Sequence, residues 1–396
     1  MGRDCSELQP GESPPFPFVI GSVRCGLSSM RRWGWAAGRS AAGGAGRSDS
    51  CGATSAASRR RRVGFPQRAF HCAMPMDETP PFPFVVGSIR SGTTLLRLML
   101  DAHPLLAIPP ESYFPDRLLR RRARYETRSG LDLGRLVEDL LTHPELHHLR
   151  DNWKLPADLV RNRLAADRPA SLPDAIRALY SLYARVRAKP RYGDKTPVFV
   201  LKIDELASVF PESRFVHVIR DGRDVTLSVL SLDHPDHPHG VPAIAKAWAK
   251  WVRAGRRAGG RLGAERYREV RYEQLVEDPV AVLRGLCGFL ELDYDPAMLR
   301  YYEHGLDSIP AHERWQHPHV AEPPSVGLRD WRKSMAADDL AAFEAIAGKS
   351  LADAGYARTF RRLPLRSRAK AVGMRVGAFA RPKAARLANR RPGRGR

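Results

Sequence analysis

Residues 87–94 read Gly-Ser-Ile-Arg-Ser-Gly-Thr-Thr, which puts two glycines, one arginine and four hydroxyls into eight positions. An apolar, β-prone run (Phe82 to Val86) precedes them and an apolar helical run (Leu95-Leu-Arg-Leu-Met-Leu) follows. A strand, a glycine-containing loop and a helix N-terminus together point free backbone N–H groups at an anion. Set against the phosphate-loop pattern GxxxxGK[ST], Gly87 and Gly92 have the right spacing and Thr94 holds the hydroxyl position. Thr93 stands where that pattern needs lysine, and the cation is Arg90 instead. A nucleoside triphosphate with Mg²⁺ needs that lysine on its terminal phosphates, so a kinase or ATPase is the weaker reading. An anionic group held by backbone amides, Thr93, Thr94 and a forked Arg90 is the stronger one.

A second constellation is Phe215-Val-His-Val-Ile-Arg-Asp-Gly-Arg-Asp-Val-Thr-Leu-Ser. An apolar strand ends in Arg220, and a helix beginning near Gly222 carries Ser228 about two turns along. A metal-dependent hydrolase would end this strand in an aspartate; a cation here suits an additional phosphate.

With both motifs in view, Gly87 to Leu100 (GSIRSGTTLLRLML) resembles the 5′-phosphosulfate loop of sulfotransferases that use 3′-phosphoadenosine 5′-phosphosulfate (PAPS). Arginine before Ser-Gly-Thr-Thr, with Asp101-Ala-His-Pro after it, looks most like the tyrosylprotein sulfotransferase branch and its bacterial relatives. The resemblance runs from about Pro80 to Tyr356. It implies that Arg90, Ser91, Gly92, Thr93 and Thr94 hold the 5′-phosphosulfate and that Arg220 and Ser228 hold the 3′-phosphate. It implies further that Lys195, in Asp194-Lys-Thr-Pro, stabilises charge on the leaving phosphate. Tyr272 is implied at the adenine face, and Arg332 or Lys333 on a late nucleotide-contacting loop.

Sulfuryl transfer to a hydroxyl requires a base for the departing proton and no metal ion. Glu111, in Ile108-Pro-Pro-Glu-Ser-Tyr-Phe, follows the loop helix by one short connection, and the resemblance places a catalytic glutamate there. Beside a cationic pocket its carboxylate would stay ionised, as a base must. Histidine is the base in the cytosolic branch, and this chain has 13 histidines. His103 before Pro104 reads as a turn residue and His217 as core. Asp233-His-Pro-Asp-His-Pro-His reads as an exposed acceptor-site loop, since its prolines and the lack of a second ligand cluster argue against a metal.

Positioning these residues calls for short strands alternating with longer helices: an α/β, three-layer P-loop-type fold with a central, mostly parallel sheet flanked by helices. Strands are predicted over Phe82 to Val86, Arg214 to Ile219 and Arg266 to Val270. Helices are predicted over Thr93 to Ala102, Leu131 to Leu141, Leu172 to Arg187, Val198 to Val209, Gly222 to Leu230, Val241 to Arg261, Val280 to Leu290 and Asp338 to Ala354.

The 396-residue chain has 65 Lys+Arg against 43 Asp+Glu, a net charge of +22 that first suggests a nucleic-acid partner. That charge is unevenly placed: +7 in residues 1–75, +2 in 76–360 and +13 in 361–396. The sequence therefore divides into a low-complexity extension (1–75), a catalytic domain (76–360) and a basic tail (361–396), and specific nucleic-acid binding is not expected of the body. Positions 13–31 match 79–97 at 11 of 19 residues, but Leu27 stands where the second copy has Thr93. The extension thus holds a degenerate copy of the phosphate loop, and Met76 is a natural start that would leave it dispensable or untranslated. One cysteine in the body, Cys287, and no run near the roughly 18 apolar residues of a membrane span predict a reducing, cytoplasmic setting. In the tail, Leu365, Ala369, Val372, Val376 and Phe379 share one helical stripe among basic residues. This suits a peripheral membrane helix, at about 1 kcal/mol per basic residue near an anionic surface, or a disordered tail binding nucleic acid nonspecifically.

The acceptor site is expected from residues 112–190 and 231–242, for a hydroxyl on a small molecule, glycan or lipid. Protein tyrosine stays open as an acceptor, and an acidic peptide would suit Arg120-Arg-Arg-Ala-Arg unless that run is a solvated helix face. Two other readings of the whole chain are a P-loop nucleotide kinase and a nonenzymatic membrane- or nucleic-acid-binding adaptor on a nucleotide fold.

Overall fold

The computed structural model describes residues 79–360 apart from 147, 233, 235, 236, 326 and 328. The extension with its loop copy, the Met76 start and the tail after 360 lie outside the described residues.

The run Phe82–Gly87 (β1) is buried at every position, as expected of a strand covered on both faces. Alternation divides its side chains between two cores. Phe82, Phe84 and Val86 pack with Ile176, Leu179 and Tyr180 of the helix Leu172–Val186. Val85 packs on the opposite face with Leu96, Met99 and Leu100 of the loop helix Thr93–Asp101 (α1) and with Leu283 and Leu286 of Pro279–Phe289.

Three further strands complete the main sheet: Asp194–Lys195 (β2), Ser213–Ile219 (β3) and Tyr267–Arg271 (β4), in the order β2-β1-β3-β4. Every pairing in it is parallel, with Val85 opposite Lys195, Gly87 opposite Val218 and Ile219 opposite Arg271. Helices cover both faces, so the three-layer α/β arrangement stands, with a wholly parallel central sheet. The partners of β1 lie on opposite sides of it, which opens a crevice at the carboxyl ends of the strands, where open α/β sheets bind ligands.

Gly222–Leu230 (α2), Val241–Leu262 (α3) and Ala337–Asp353 (α4) close the far side around a third core of Ile219, Val225, Trp248 and Phe343. The predicted helix over 198–209 is in fact two pieces, a 3₁₀ turn Pro197–Leu201 and a helix Ile203–Val209. Pro197 starts the tight turn, and Lys202 leaves helical geometry at φ −127° between the two. The strand β2, which carries Lys195, is two residues long, too short to show an apolar alternation in the sequence. No helix among the described residues is long and apolar enough to cross a membrane.

Candidate active site

A cavity of about 840 Å³ lies at the carboxyl ends of β1, β3 and β4, and Lys195 at the end of β2 is buried behind Glu111 without lining it. Lys195 ends β2, while Arg220 and Tyr272 directly follow β3 and β4. After β1 the loop turns through left-handed conformations at Arg90 (φ 61°) and Gly92 (φ 98°). The Ser91 hydroxyl tightens this turn by donating to the Ser88 carbonyl at 2.7 Å. A Cβ at Gly92 would lie 2.3 Å from a ring carbon of Tyr272, so only glycine allows that ring to lie against the loop. Gly92, Thr93 and Thr94 line the cavity beside Tyr272.

Three guanidinium groups share this end. Arg90 donates to Ser228 Oγ at 3.2 Å and to the Gln316 carbonyl at 2.9 Å. Arg220 lies 4.3 Å from the Tyr272 ring centroid and donates to the Arg90 carbonyl at 3.4 Å; its buried Nε has no partner among the described residues. Arg329 donates to Ser231 Oγ at 2.9 Å. Burial first, then the charges of Arg220 and Arg329, lowers the Arg90 pKa to about 10, which still leaves it cationic at neutral pH. None of the three has an ion-pair partner within 4 Å among the described residues. Such a cluster, with a buried donor unsatisfied, fits a multiply charged anion.

The corner carrying Arg220 is braced from behind. The Asp221 side chain accepts from the Arg223 backbone N–H at 2.9 Å and caps α2. It also pairs with the buried Arg223 guanidinium at 2.7 Å, which reaches Glu344 of α4 at 3.1 Å. Glu344 in turn accepts from the backbone N–H groups of Thr359 and Phe360 at 2.8 and 3.1 Å. Asp224 accepts from Trp331 N–H at 2.9 Å and so brings the late loop against α2.

That contact corrects one expectation. The loop presents Arg329 to the cavity, while the Arg332 side chain is 71% exposed and lies over Trp331 outside the lining. Lys333 is 84% exposed and pairs with Asp330. Asp330 caps the short helix Trp331–Ser334, which turns the following cations outward. The Ser91 hydroxyl is likewise committed to its own loop and does not line the cavity.

The other end of the cavity holds Glu111, whose Oε1 accepts from Lys195 Nζ at 2.9 Å and whose Oε2 accepts from the Tyr113 hydroxyl. Burial opposes ionisation of Glu111, but Lys195 and the Tyr113 hydrogen bond prevail and hold its pKa below the ordinary 4.5. The loop carrying Glu111 is pinned by Trp153 Nε1 to the Pro110 carbonyl (3.0 Å) and Asn152 to the Glu111 carbonyl (3.3 Å). Lys195 pairs with Glu111 and not with its chain neighbour Asp194, whose Oδ2 accepts from Ser112 and Tyr180 hydroxyls.

Sequence reasoning missed the segment 311–320. His312, Glu313, Trp315, Gln316 and His317 all line the cavity. Arginines far away in sequence hold the segment and the chain leading into it: Arg90 takes the Gln316 carbonyl, and the buried Arg97 ties Ser308, just before the segment, to Ile108 through their carbonyls (2.9 and 3.2 Å). Burial, with Glu111 adding to it, raises the Glu313 pKa. Burial, then Arg90, Lys195 and Arg97, pushes His317 down to about 2, so it is neutral. Its density of histidine and aromatic residues was the available signal.

The remaining histidines behave as structure dictates. His103 bonds to Leu105 N–H and the Asp293 carbonyl, a turn contact, and His217 is buried against the Tyr267 hydroxyl at 2.6 Å. His234 and His237 line the cavity, and 233, 235 and 236 of the same loop are not described. No group of three or more potential metal ligands occurs among the described residues. Arg120, Arg121, Arg122 and Arg124 pair with Asp116, Glu145, Glu126 and Asp139, respectively.

A model of the "Sulfotransferase family" matches residues 81–296. Protein-tyrosine sulfotransferase A of Caenorhabditis elegans is 25% identical over 228 residues, 57% of this chain and 53% of that protein. Protein-tyrosine sulfotransferase 1 of Danio rerio is 28% identical over 225 residues, 56% of each. The chain thus spans about half the length of the curated relatives it matches. Among solved structures, the sulfotransferase domain of the Synechococcus PCC 7002 olefin synthase superposes with a TM-score of 0.50 at 24% identity. That match covers 71% of this chain and 97% of the domain, a likeness of fold.

Proposed function

The chain belongs to the sulfotransferase family, and on that premise we propose that it transfers a sulfuryl group from PAPS to a hydroxyl acceptor by in-line displacement, with Glu111 as general base. The observation that carries this reading is the joining, in one cavity, of three guanidinium groups that have no carboxylate partner within 4 Å among the described residues and an ionised Glu111 held by Lys195.

The residues suit the donor. The unsatisfied Arg220 Nε and Ser228 fit a 3′-phosphate; Arg90, Thr93, Thr94 and the loop amides fit the 5′-phosphosulfate; Tyr272 offers a ring face to the base. Arg329 adds a third cation, in the role first assigned to Arg332. The donor, when bound, supplies an activated sulfuryl group with a phosphate as leaving group. Glu111 takes the proton of the acceptor hydroxyl as the new O–S bond forms. Lys195 donates to the phosphate oxygen released when the old S–O bond breaks. No redox change is involved, so the proton and the sulfuryl group are the whole balance.

For the acceptor we favour a small-molecule, glycan or lipid hydroxyl. Each arginine of the 120–124 run already has a carboxylate partner, which leaves it ill suited to dock an acidic peptide. Glu111 and Glu313 together make the acceptor end unfavourable to an anion. A protein tyrosine is the second reading, favoured by the names of the relatives.

Thermal unfolding tests the donor assignment. Stabilisation by 3′-phosphoadenosine 5′-phosphate, and none by ATP with Mg²⁺, is the expected result; preference for ATP would return the chain to the kinase reading. A hydroxyl-compound screen with radiolabelled PAPS then identifies the acceptor, and transfer to tyrosine peptides alone would reverse the acceptor preference.

A further inference from the structure

The structure assigns Asp194 a positioning role: its carboxylate holds together the two backbone segments that carry Glu111 and Lys195, and so sets the spacing of the catalytic pair. The inference rests on the sulfuryl-transfer reading and deepens it.

Asp194 is fully buried although its strand, β2, stands at one edge of the main sheet, and it is paired in register with Phe84 of β1. An apolar residue would satisfy that strand position at lower cost, since a buried carboxylate must be hydrogen-bonded to be tolerated. Its Oδ2 accepts from the Ser112 hydroxyl at 2.6 Å, the Tyr180 hydroxyl at 2.7 Å and the Thr196 hydroxyl at 3.3 Å. A second tie runs from Ser112 N–H to Thr196 Oγ1 at 3.1 Å. These partners are placed tellingly. Ser112 directly follows Glu111, and Lys195 stands between Asp194 and Thr196. Adjacent strand residues project to opposite faces. Asp194 turns into the core toward Tyr180, while Lys195 turns the other way and meets Glu111 at 2.9 Å. One carboxylate oxygen thereby links the base loop, β2 and the helix Leu172–Val186.

Burial raises the Asp194 pKa to about 6 against the pull of its hydrogen bonds, the cost of keeping an acid at this site. Its Oδ1 has no partner among the described residues. Replacing only that oxygen leaves the three accepted bonds intact, which separates the clamp from the charge.

Three variants test the assignment. Ser112→Ala removes the shortest tie, Asp194→Ala removes all three, and Asp194→Asn preserves an accepting oxygen. Binding of 3′-phosphoadenosine 5′-phosphate is measured by calorimetry, and transfer of label from PAPS is followed to 4-nitrophenol and, in the same reaction, to water. Ser112→Ala and Asp194→Ala should bind the nucleotide within about threefold of the parent chain while transfer falls at least tenfold. The acid limb of their pH–rate profile should move up as Glu111 loses the support of Lys195 and burial, which favours the neutral acid, is no longer outweighed. Asp194→Asn should recover most of the rate. Loss of nucleotide binding in step with transfer, or an unmoved acid limb, would mark Asp194 as a plain folding residue and overturn the proposal. If Asp194→Ala does not fold, Ser112→Ala and Thr196→Val carry the same two readouts. A parent chain that fails to bind the nucleotide would sink the sulfuryl-transfer reading itself, an outcome distinct from a failed clamp.

Discussion

The two ends of the cavity are built in different ways. At the cationic end, Arg90, Thr93, Thr94, Arg220 and Tyr272 sit within a few residues of strand ends, so the sheet alone fixes most of that end. At the other end, where we place the acceptor, Glu111, His148, Glu313 and Trp315 come from loops and short helical turns separated by up to about two hundred residues. Hydrogen bonds from side chains to carbonyls, such as Trp153 to Pro110 and Arg97 to Ser308, hold those loops in place. The first design is rigid and local; the second is assembled at long range and open to variation. It follows that donor recognition and proton removal should fail independently when damaged.

The largest effects test that independence directly. Glu111→Gln should lower turnover at least ~100-fold while binding of 3′-phosphoadenosine 5′-phosphate, read by calorimetry, stays unchanged. Arg220→Met should do the reverse and weaken that binding about a hundredfold, as loss of a buried charge contact does. If Glu111→Gln also costs nucleotide affinity, the division is wrong. Gly92→Ala, which forces a side chain at φ 98° into Tyr272, should lose at least about tenfold in nucleotide affinity. Arg329→Met should lose about tenfold in the same assay, whereas Arg332→Met should change nothing; equal losses would restore Arg332 to the site. At the acceptor end, Glu313→Gln should move the acceptor KM about threefold, with nucleotide affinity untouched. The pH–rate profile should be flat between pH 5.5 and 7. Glu111 is held below 4.5, His317 titrates near 2, and Asp194, at about 6, can take its proton on the unpartnered Oδ1 and keep its accepting Oδ2, so activity is lost as pH falls through the Glu111 value. An acid limb near 6.5 would hand the role of base to a histidine.

This contrast also explains what the sequence made legible. Gly87 to Thr94 and Arg220 to Ser228 are each contiguous, and each joins an apolar strand to a helix, so the arrangement follows from spacing alone. Glu111 and Lys195 could be placed only through resemblance, since a carboxylate after two prolines carries no period and β2 is two residues long. Segment 311–320 has no apolar repeat, and its position depends on Arg90 and Arg97, more than two hundred residues earlier. Arg329 was missed by three residues because an aspartate cap and a one-turn helix decide which cation of the loop faces inward.

The brace behind Arg220 has a consequence at the far end of the described chain. Glu344 is buried and divides its carboxylate between Arg223 and the backbone N–H groups of Thr359 and Phe360. A cut at residue 358, by a protease or in a shortened gene, would strip two donors from a charge already out of water. The effect would pass through Arg223 and Asp221 to the corner that carries Arg220, which makes trimming there a lesion of the cationic end of the cavity.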